Sequence, residues 1–174
     1  MKIFLIGLPG SGKTTIGKLL AKVLNTSFVD LDKEIEKGEG MTPSEIFAMK
    51  NEDYFRQVES AELKRLCASP SGFVLATGGG TPCFFDNMKV INQSGISIFF
   101  DVSTREIAGR MMRTDLTKRP LLAKSSNDEV KDRIEFLRST RISFYKQAHI
   151  TIDHDEITAE EIVRLINLRR ESQK

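Results

Sequence analysis

Six short stretches of the chain carry residue types that phosphate chemistry requires, at spacings it requires. Gly7-Leu8-Pro9-Gly10-Ser11-Gly12-Lys13-Thr14 is a G-x-x-x-x-G-K-T pattern, in which backbone amides wrap phosphate oxygens, the lysine adds a positive charge and the threonine hydroxyl serves Mg²⁺. Gly10, Ser11, Gly12, Lys13, Thr14 and the next residue, Thr15, are therefore candidate phosphate contacts. Asp30 and Asp32 stand two apart at the end of a short apolar run; on a strand they point the same way. One carboxylate of such a pair can hold Mg²⁺ through water, and the other can accept a proton from an attacking hydroxyl. Gly78-Gly79-Gly80 follows another apolar run, and backbone without side chains can approach a ligand closely. Arg119-Pro120 lies in the longest stretch without periodicity, where an arginine can close over a nucleotide.

Two arginines remain. Arg56 and Glu59 have i, i+3 spacing on a helical pattern, which fits an ion pair. Arg141 continues the apolar stripe Val130, Ile134 and Leu137, so its charge faces inward and needs an anion. That anion is either a protein carboxylate or a substrate.

The elements that must position these groups are legible from periodicity. Lys2–Ile6 is an apolar run of buried-strand type, and Ile16, Leu19, Leu20, Val23 and Leu24 recur at helical spacing after Lys13. The phosphate loop thus joins a strand to a helix N-terminus, where free amides and the helix dipole favour anions. A strand over residues 27 to 32 comes next, and a capping box at Thr42-Pro43-Ser44-Glu45 opens a helical stretch to about Leu66, broken near Asn51. Further strands are expected at 73–76, 96–102 and 149–152. Helices are expected over roughly 84–93, 104–112 and 127–146, and from Thr158 onward. Five strands alternating with helices predict an α/β fold in three layers, a five-stranded parallel sheet with helices on both faces. Ligands of such sheets bind at the carboxyl ends of the strands, where residues 7–14, Asp30, Asp32 and the three glycines all fall.

Composition narrows the classes. The chain has 174 residues, 40% of them hydrophobic, which suits one domain over residues 1–174. Net charge is +2, but residues 105 to 146 hold eleven Lys/Arg against six Asp/Glu, a local excess that suits handling of a polyanion. No basic and aromatic stripe accompanies it, so nucleic acid is not expected as a partner. Cys67 and Cys83 lack metal-site spacing, no apolar run approaches the length of a membrane span, and the N-terminal run is too short for a leader. A cytoplasmic, monomeric protein is the expectation.

Taken together, these stretches resemble the shikimate kinase family, in the nucleoside-monophosphate-kinase-like group of P-loop kinases. The matching residues are Gly7–Thr14, Asp30-Leu31-Asp32 with Ile35-Glu36, Phe55-Arg56-Gln57-Val58-Glu59, Gly78–Gly80, Arg119-Pro120-Leu121-Leu122, and Arg141 four before Tyr145. The resemblance spans about residues 2 to 170. It implies transfer of the ATP γ-phosphoryl group to the 3-hydroxyl of shikimate. It assigns Thr14, and Asp30 through water, to Mg²⁺, and makes Asp32 the catalytic base beside Lys13 and Arg119. Arg56, Gly78, Gly79, Gly80 and Arg141 would hold shikimate, with Glu59 orienting Arg56. Arg113 would stack on adenine and Arg119 would reach the phosphates from a lid of about residues 113–126, while helices of about 33–66 would surround the substrate. Family members often carry an arginine and a proline after the last strand; here that loop reads Asp153-His154-Asp155-Glu156-Ile157. A kinase of gluconate or of a nucleoside monophosphate, and a non-catalytic nucleotide sensor, are the competing readings.

Overall fold

A computed structural model describes residues 1–113 and 127–172; Arg119 and nearly all of the expected lid lie outside the described residues. The five apolar runs form strands β1 (Lys2–Ile6), β2 (Ser27–Asp30), β3 (Phe73–Ala76), β4 (Ile96–Phe100) and β5 (Ile150–Ile152). They make one parallel sheet in the order β2-β3-β1-β4-β5. The three inner strands are almost wholly buried, because helices cover both faces, and that is why their sequences are mostly apolar runs and not regular alternations.

The helices are α1 (Lys13–Val23), α2 (Leu31–Glu39), α3 (Pro43–Met49), α4 (Glu52–Ala68), α5 (Asn87–Ser94), α6 (Thr104–Arg113), α7 (Asn127–Tyr145) and α8 (Ala159–Glu171). The chain leaves β1 toward β2 and β3 on one side and returns to β4 and β5 on the other, so the strand order reverses at β1. A crevice opens at such a switch point, and residues 7–12 sit in it.

Local chemistry sets the boundaries. Thr42 and Glu45 form the full capping box: Glu45 N donates to Thr42 Oγ1 at 3.3 Å, and Thr42 N donates to Glu45 Oε2 at 2.7 Å. Asn51 accepts from Tyr54 N at 2.8 Å and starts α4, at the break expected there. Ser103 Oγ accepts from Glu106 N at 3.2 Å at the head of α6.

Three expectations need correction. The second strand stops at Asp30, and Asp32 sits in the first turn of α2, because turning the chain there buries Leu31 and Ile35 at helical i, i+4 spacing. The helix expected from Phe84 begins at Asn87, after a 3₁₀ turn over Thr81–Cys83 and two left-handed residues, Phe85 and Asp86. Asn87 is fully buried, accepts from Ser60 Oγ at 2.7 Å and donates to the Thr81 carbonyl at 2.9 Å, which holds the turn back against α4. Finally, α1 does not bury its whole apolar stripe. It packs on its small residues, Gly17 and Ala21, which lets it approach the sheet closely and leaves Leu19 and Val23 exposed.

The closeness of that approach is measurable at Gly17. A methyl there would lie 2.6 Å from Phe28 Cε2 and 3.0 Å from Leu5 Cδ1. Alanine is the better helix former by about 1 kcal/mol, yet overpacking typically costs about 1–3 kcal/mol. Gly17→Ala is therefore expected to lower Tm by a few degrees in a thermal melt; an unchanged or higher Tm would show that Phe28 yields without cost.

Candidate active site

The phosphate loop adopts the form its pattern calls for. Gly10 (φ 84) and Gly12 (φ 97) occupy left-handed backbone, which glycine adopts without strain. The loop delivers the chain to α1 at Lys13. Lys13 is buried, with Nζ donating to the Gly7 carbonyl at 2.8 Å and the Leu8 carbonyl at 2.9 Å. Burial lowers its pKa to about 8, opposed by the charges of Asp32 and Asp30.

Thr14 Oγ1 donates to Asp30 Oδ2 at 3.0 Å, so the hydroxyl and the carboxylate expected at a metal stand side by side. Both are hard oxygen donors, few in number and next to the phosphate amides. That suits Mg²⁺, which keeps several waters and relies on one or two protein ligands plus phosphate oxygens. Asp32 points into the same cleft. Its pKa is raised to about 6, first by burial, then by the carboxylates of Asp30 and Glu59, against the pull of Lys13 and Arg56.

The opposite wall is built around Gly78-Gly79-Gly80, in the crossing from β3 to α5. A methyl on Gly78 would lie 2.8 Å from Glu59 Oε1 and 3.2 Å from Asp32 Oδ1. On Gly79 it would lie 2.7 Å from Pro9 Cδ in the phosphate loop and 3.1 Å from Arg141 Nη1. On Gly80 it would collide with the Arg56 guanidinium at 2.6 Å. Two carboxylates, two guanidinium groups and a proline ring thus approach one stretch of bare backbone.

Arg56 is itself buried. Its Nη1 donates to Glu59 Oε2 at 2.8 Å, while Nε and Nη2 donate to Glu52 Oε1 at 3.2 and 3.1 Å. Phe84 lies over the guanidinium with its ring centroid 4.5 Å away, and Phe55 at 5.1 Å. Glu59 is fully buried and also accepts from Thr81 Oγ1 at 2.5 Å, which ties α4 to the turn after the glycines. On α7 the expected stripe is buried at Val130 and Ile134, and Arg141 follows it to Gly79. The Tyr145 hydroxyl donates to the Gly79 carbonyl at 2.5 Å.

The cleft between these walls encloses about 760 Å³. Gly10, Ser11, Gly12, Lys13, Thr14 and Thr15 line it together with Asp30, Asp32, Gly78 and Gly79. Gly80, Arg56 and Arg141 do not line it; they lie behind Gly78 and Gly79, with Gly80 against the Arg56 guanidinium. Arg113 is not brought there: its guanidinium is largely exposed and bonded to Glu106 Oε1 at 3.1 Å. The cleft's far end is lined by Arg110, Met111, Asp155 and Ile157. Arg110 Nη1 donates to the Ser11 carbonyl at 3.2 Å and Nη2 to the Asp155 carbonyl at 2.7 Å, so one guanidinium bridges the phosphate loop and the loop after β5. Sequence reasoning missed it. The available signal was its place one helical turn before Arg113 on the same face. The acidic loop has a structural role too: the Asp155 carboxylate accepts from Ser103 N at 2.8 Å and Ser103 Oγ at 2.9 Å and so braces the residue that caps α6.

Phosphate-binding amides on one wall and fixed cations on the other suit the movement of a phosphoryl group between two bound molecules, which makes this a small-molecule kinase of the P-loop class. Comparison with known proteins sharpens the class. The family model for shikimate kinase matches residues 9–169, and the chain belongs to the shikimate kinase family. It is 40% identical over 166 residues to the shikimate kinase of Parabacteroides distasonis, covering 95% of each. The structure of the shikimate kinase from Bacteroides thetaiotaomicron is similar with a TM-score of 0.88 at 35% identity, over 98% of both chains. That of the Acinetobacter baumannii enzyme in complex with shikimate gives 0.83 at 33% identity, over 99% of this chain and 94% of that one.

The two partners of Arg56 are unequal. Glu59 is buried, whereas more than half of the Glu52 side chain is exposed. Glu59→Ala leaves a buried arginine without its main counter-charge and is expected to cost about 3–5 kcal/mol in chemical denaturation. Glu52→Ala is expected to cost under about 1 kcal/mol. Equal losses would mean that Arg56 is held by its aromatic neighbours and not by charge.

Proposed function

We propose that the chain transfers the γ-phosphoryl group of ATP to the 3-hydroxyl of shikimate, giving ADP and shikimate 3-phosphate, a step toward chorismate and the aromatic amino acids. The observation that carries this reading is the meeting of Arg56, Arg141 and Asp32 at the three glycines, directly across from the phosphate loop. Two guanidinium forks suit the carboxylate of a small polyhydroxy acid. A carboxylate with a raised pKa suits removal of a proton from a nearby hydroxyl. No such set is needed to read a nucleobase.

In the mechanism we infer, the glycine amides, Arg56 and Arg141 hold the acceptor, and Glu59 orients Arg56. Asp32 takes the proton of the 3-hydroxyl as its oxygen attacks the γ-phosphorus and ADP leaves. Gly10 to Thr15 and Lys13 hold the phosphates. Thr14, and Asp30 through water, would hold Mg²⁺, which when bound neutralises charge on the phosphate oxygens. For Lys13 to reach those oxygens its Nζ exchanges the carbonyls of Gly7 and Leu8 for phosphate, a strong exchange for an ammonium group. Arg119 would add charge from the lid, as the family resemblance implies. At the base end, Arg110 takes the place first given to Arg113, since it lines the cleft. Residues 1–174 then form one domain, with α2 to α4 as the substrate-binding helices. Both half-sites come from one chain, which suits a monomer, and use of ATP suits the cytoplasm. No helix among the described residues is long and apolar enough to cross a membrane.

A coupled ADP-release assay tests the assignment. Shikimate is expected to drive ADP formation, while gluconate and nucleoside monophosphates leave it at background; turnover with one of those and not with shikimate would replace the acceptor.

Asp32 supplies a second test. Below about pH 6 the carboxyl is protonated and cannot accept, so kcat/KM is expected to fall about tenfold per unit as pH drops through 6. Asp32→Asn is expected to lower kcat about 10²–10⁴-fold. Because the folded-state pKa lies above the ordinary 3.8, ionising Asp32 opposes folding at pH 7. The variant should therefore melt higher than wild type at pH 7, with a gain that shrinks through pH 6 and disappears below pH 3.8. A variant that is both inactive and less stable at pH 7 would mark Asp32 as structural.

A further inference from the structure

The Gly78-Gly79-Gly80 backbone has no side chains to fix its peptide planes, so its amides point wherever its carbonyls are held. Two of the three carbonyls are held locally. Gly78 O accepts from Thr81 N at 3.2 Å and Gly80 O from Cys83 N at 2.9 Å, both within the 3₁₀ turn. The middle carbonyl is held from far away in sequence. Gly79 O accepts from the hydroxyl of Tyr145, 66 residues on and at the end of α7. In a planar trans peptide the oxygen of one residue and the N–H of the next point in opposite directions. Fixing Gly79 O therefore fixes the Gly80 N–H, on the residue whose missing side chain lies against the Arg56 guanidinium.

Tyr145 is well placed for this task. It is fully buried, its ring packs on Phe99 of β4 with centroids 5.1 Å apart, and the charge of Arg141, one turn earlier on α7, lies beside its hydroxyl. The same hydroxyl is thus placed between a glycine peptide and a guanidinium, both of which face the acceptor site.

We propose that Tyr145 is a positioning residue of the acceptor site: its hydroxyl locks the Gly79–Gly80 peptide so that the Gly80 N–H, Arg56 and Arg141 converge on one carboxylate. Tyr145 itself touches no substrate. The proposal rests on the acceptor reading above. It goes further by assigning the geometry of a backbone donor to a side chain outside the cleft.

The test is Tyr145→Phe, which removes the hydroxyl and keeps the ring on Phe99. KM for shikimate is expected to rise about tenfold, the worth of one well-placed hydrogen bond, with KM for ATP within about twofold. The penalty should vanish for a shikimate analogue whose carboxylate is reduced to an alcohol, since the lock acts through that group. Unchanged KM for shikimate, or equal rises for both substrates, overturns the proposal. The chain has two tyrosines, Tyr54 and Tyr145. If Tyr145→Phe does not fold, 3-fluorotyrosine incorporated into Tyr54→Phe protein reports on Tyr145 alone. Its ¹⁹F resonance is expected to shift saturably with shikimate; a resonance that does not move overturns the proposal. Absence of shikimate turnover in the wild-type chain would instead overturn the acceptor reading, and it is seen before any variant is made.

Discussion

Bare backbone at residues 78–80 is the constraint on which the rest of the site depends. A single added methyl at Gly79 would meet the phosphate loop at Pro9, and one at Gly80 would meet the Arg56 guanidinium. The glycine stretch therefore sets the spacing between the two halves of the site. Phosphoryl transfer asks little covalent chemistry of a protein and a great deal of positioning, since attacking oxygen, phosphorus and leaving oxygen must lie in line. A phosphate loop and an acceptor loop in van der Waals contact, each at the end of an inner strand of one sheet, give that spacing a rigid reference.

Electrostatics follow from the same crowding. Burying charges is costly unless they are paired, and the site pairs each of its buried charges unevenly. Arg56 has two carboxylates, one buried and one exposed, so a third anion can share it without leaving it bare. Lys13 and Asp32 move toward each other in pKa, to about 8 and about 6, each disfavoured by burial and each partly rescued by the other. An ammonium and a carboxylate poised in this way are less tightly solvated than they would be on the surface. That makes them better able to bind phosphate and to accept a proton, at some cost in stability.

Much of this was legible in the sequence because the signals were local. The G-x-x-x-x-G-K-T loop, the capping box at Thr42, the five strand runs and the inward arginine of α7 each follow from a spacing that one element imposes on its own residues. What was missed depended on tertiary packing. Periodicity marked Leu19 and Val23 as inner residues of α1, but the close approach allowed by Gly17 rotates the buried face onto Gly17, Leu20 and Ala21. Alternation placed Asp32 on a strand, but burial of Leu31 starts a helix first. Arg110 and Arg113 share a helix and a carboxylate partner, and only the position of the loop after β5 decides which one lines the cleft. Tyr145 was visible only as a landmark four residues after Arg141, because its partner is a backbone carbonyl 66 residues away.

The base end of the cleft is held by a different kind of contact from the acceptor end. Around the glycines the ties are buried side chains reaching backbone or one another. At the far end, Arg110 joins two loop carbonyls, and Asp155 braces Ser103, the cap of α6, from a partly exposed loop. Exposed and partly exposed hydrogen bonds of this type open more readily than a buried ion pair. The element they secure, α6, leads directly into the segment that carries Arg119. The buried ties are therefore concentrated where the glycines, Arg56 and the phosphate loop meet, and the looser ties lie at the base end of the cleft, around α6. A P-loop kinase needs both, since water must be excluded during transfer and product must leave afterwards.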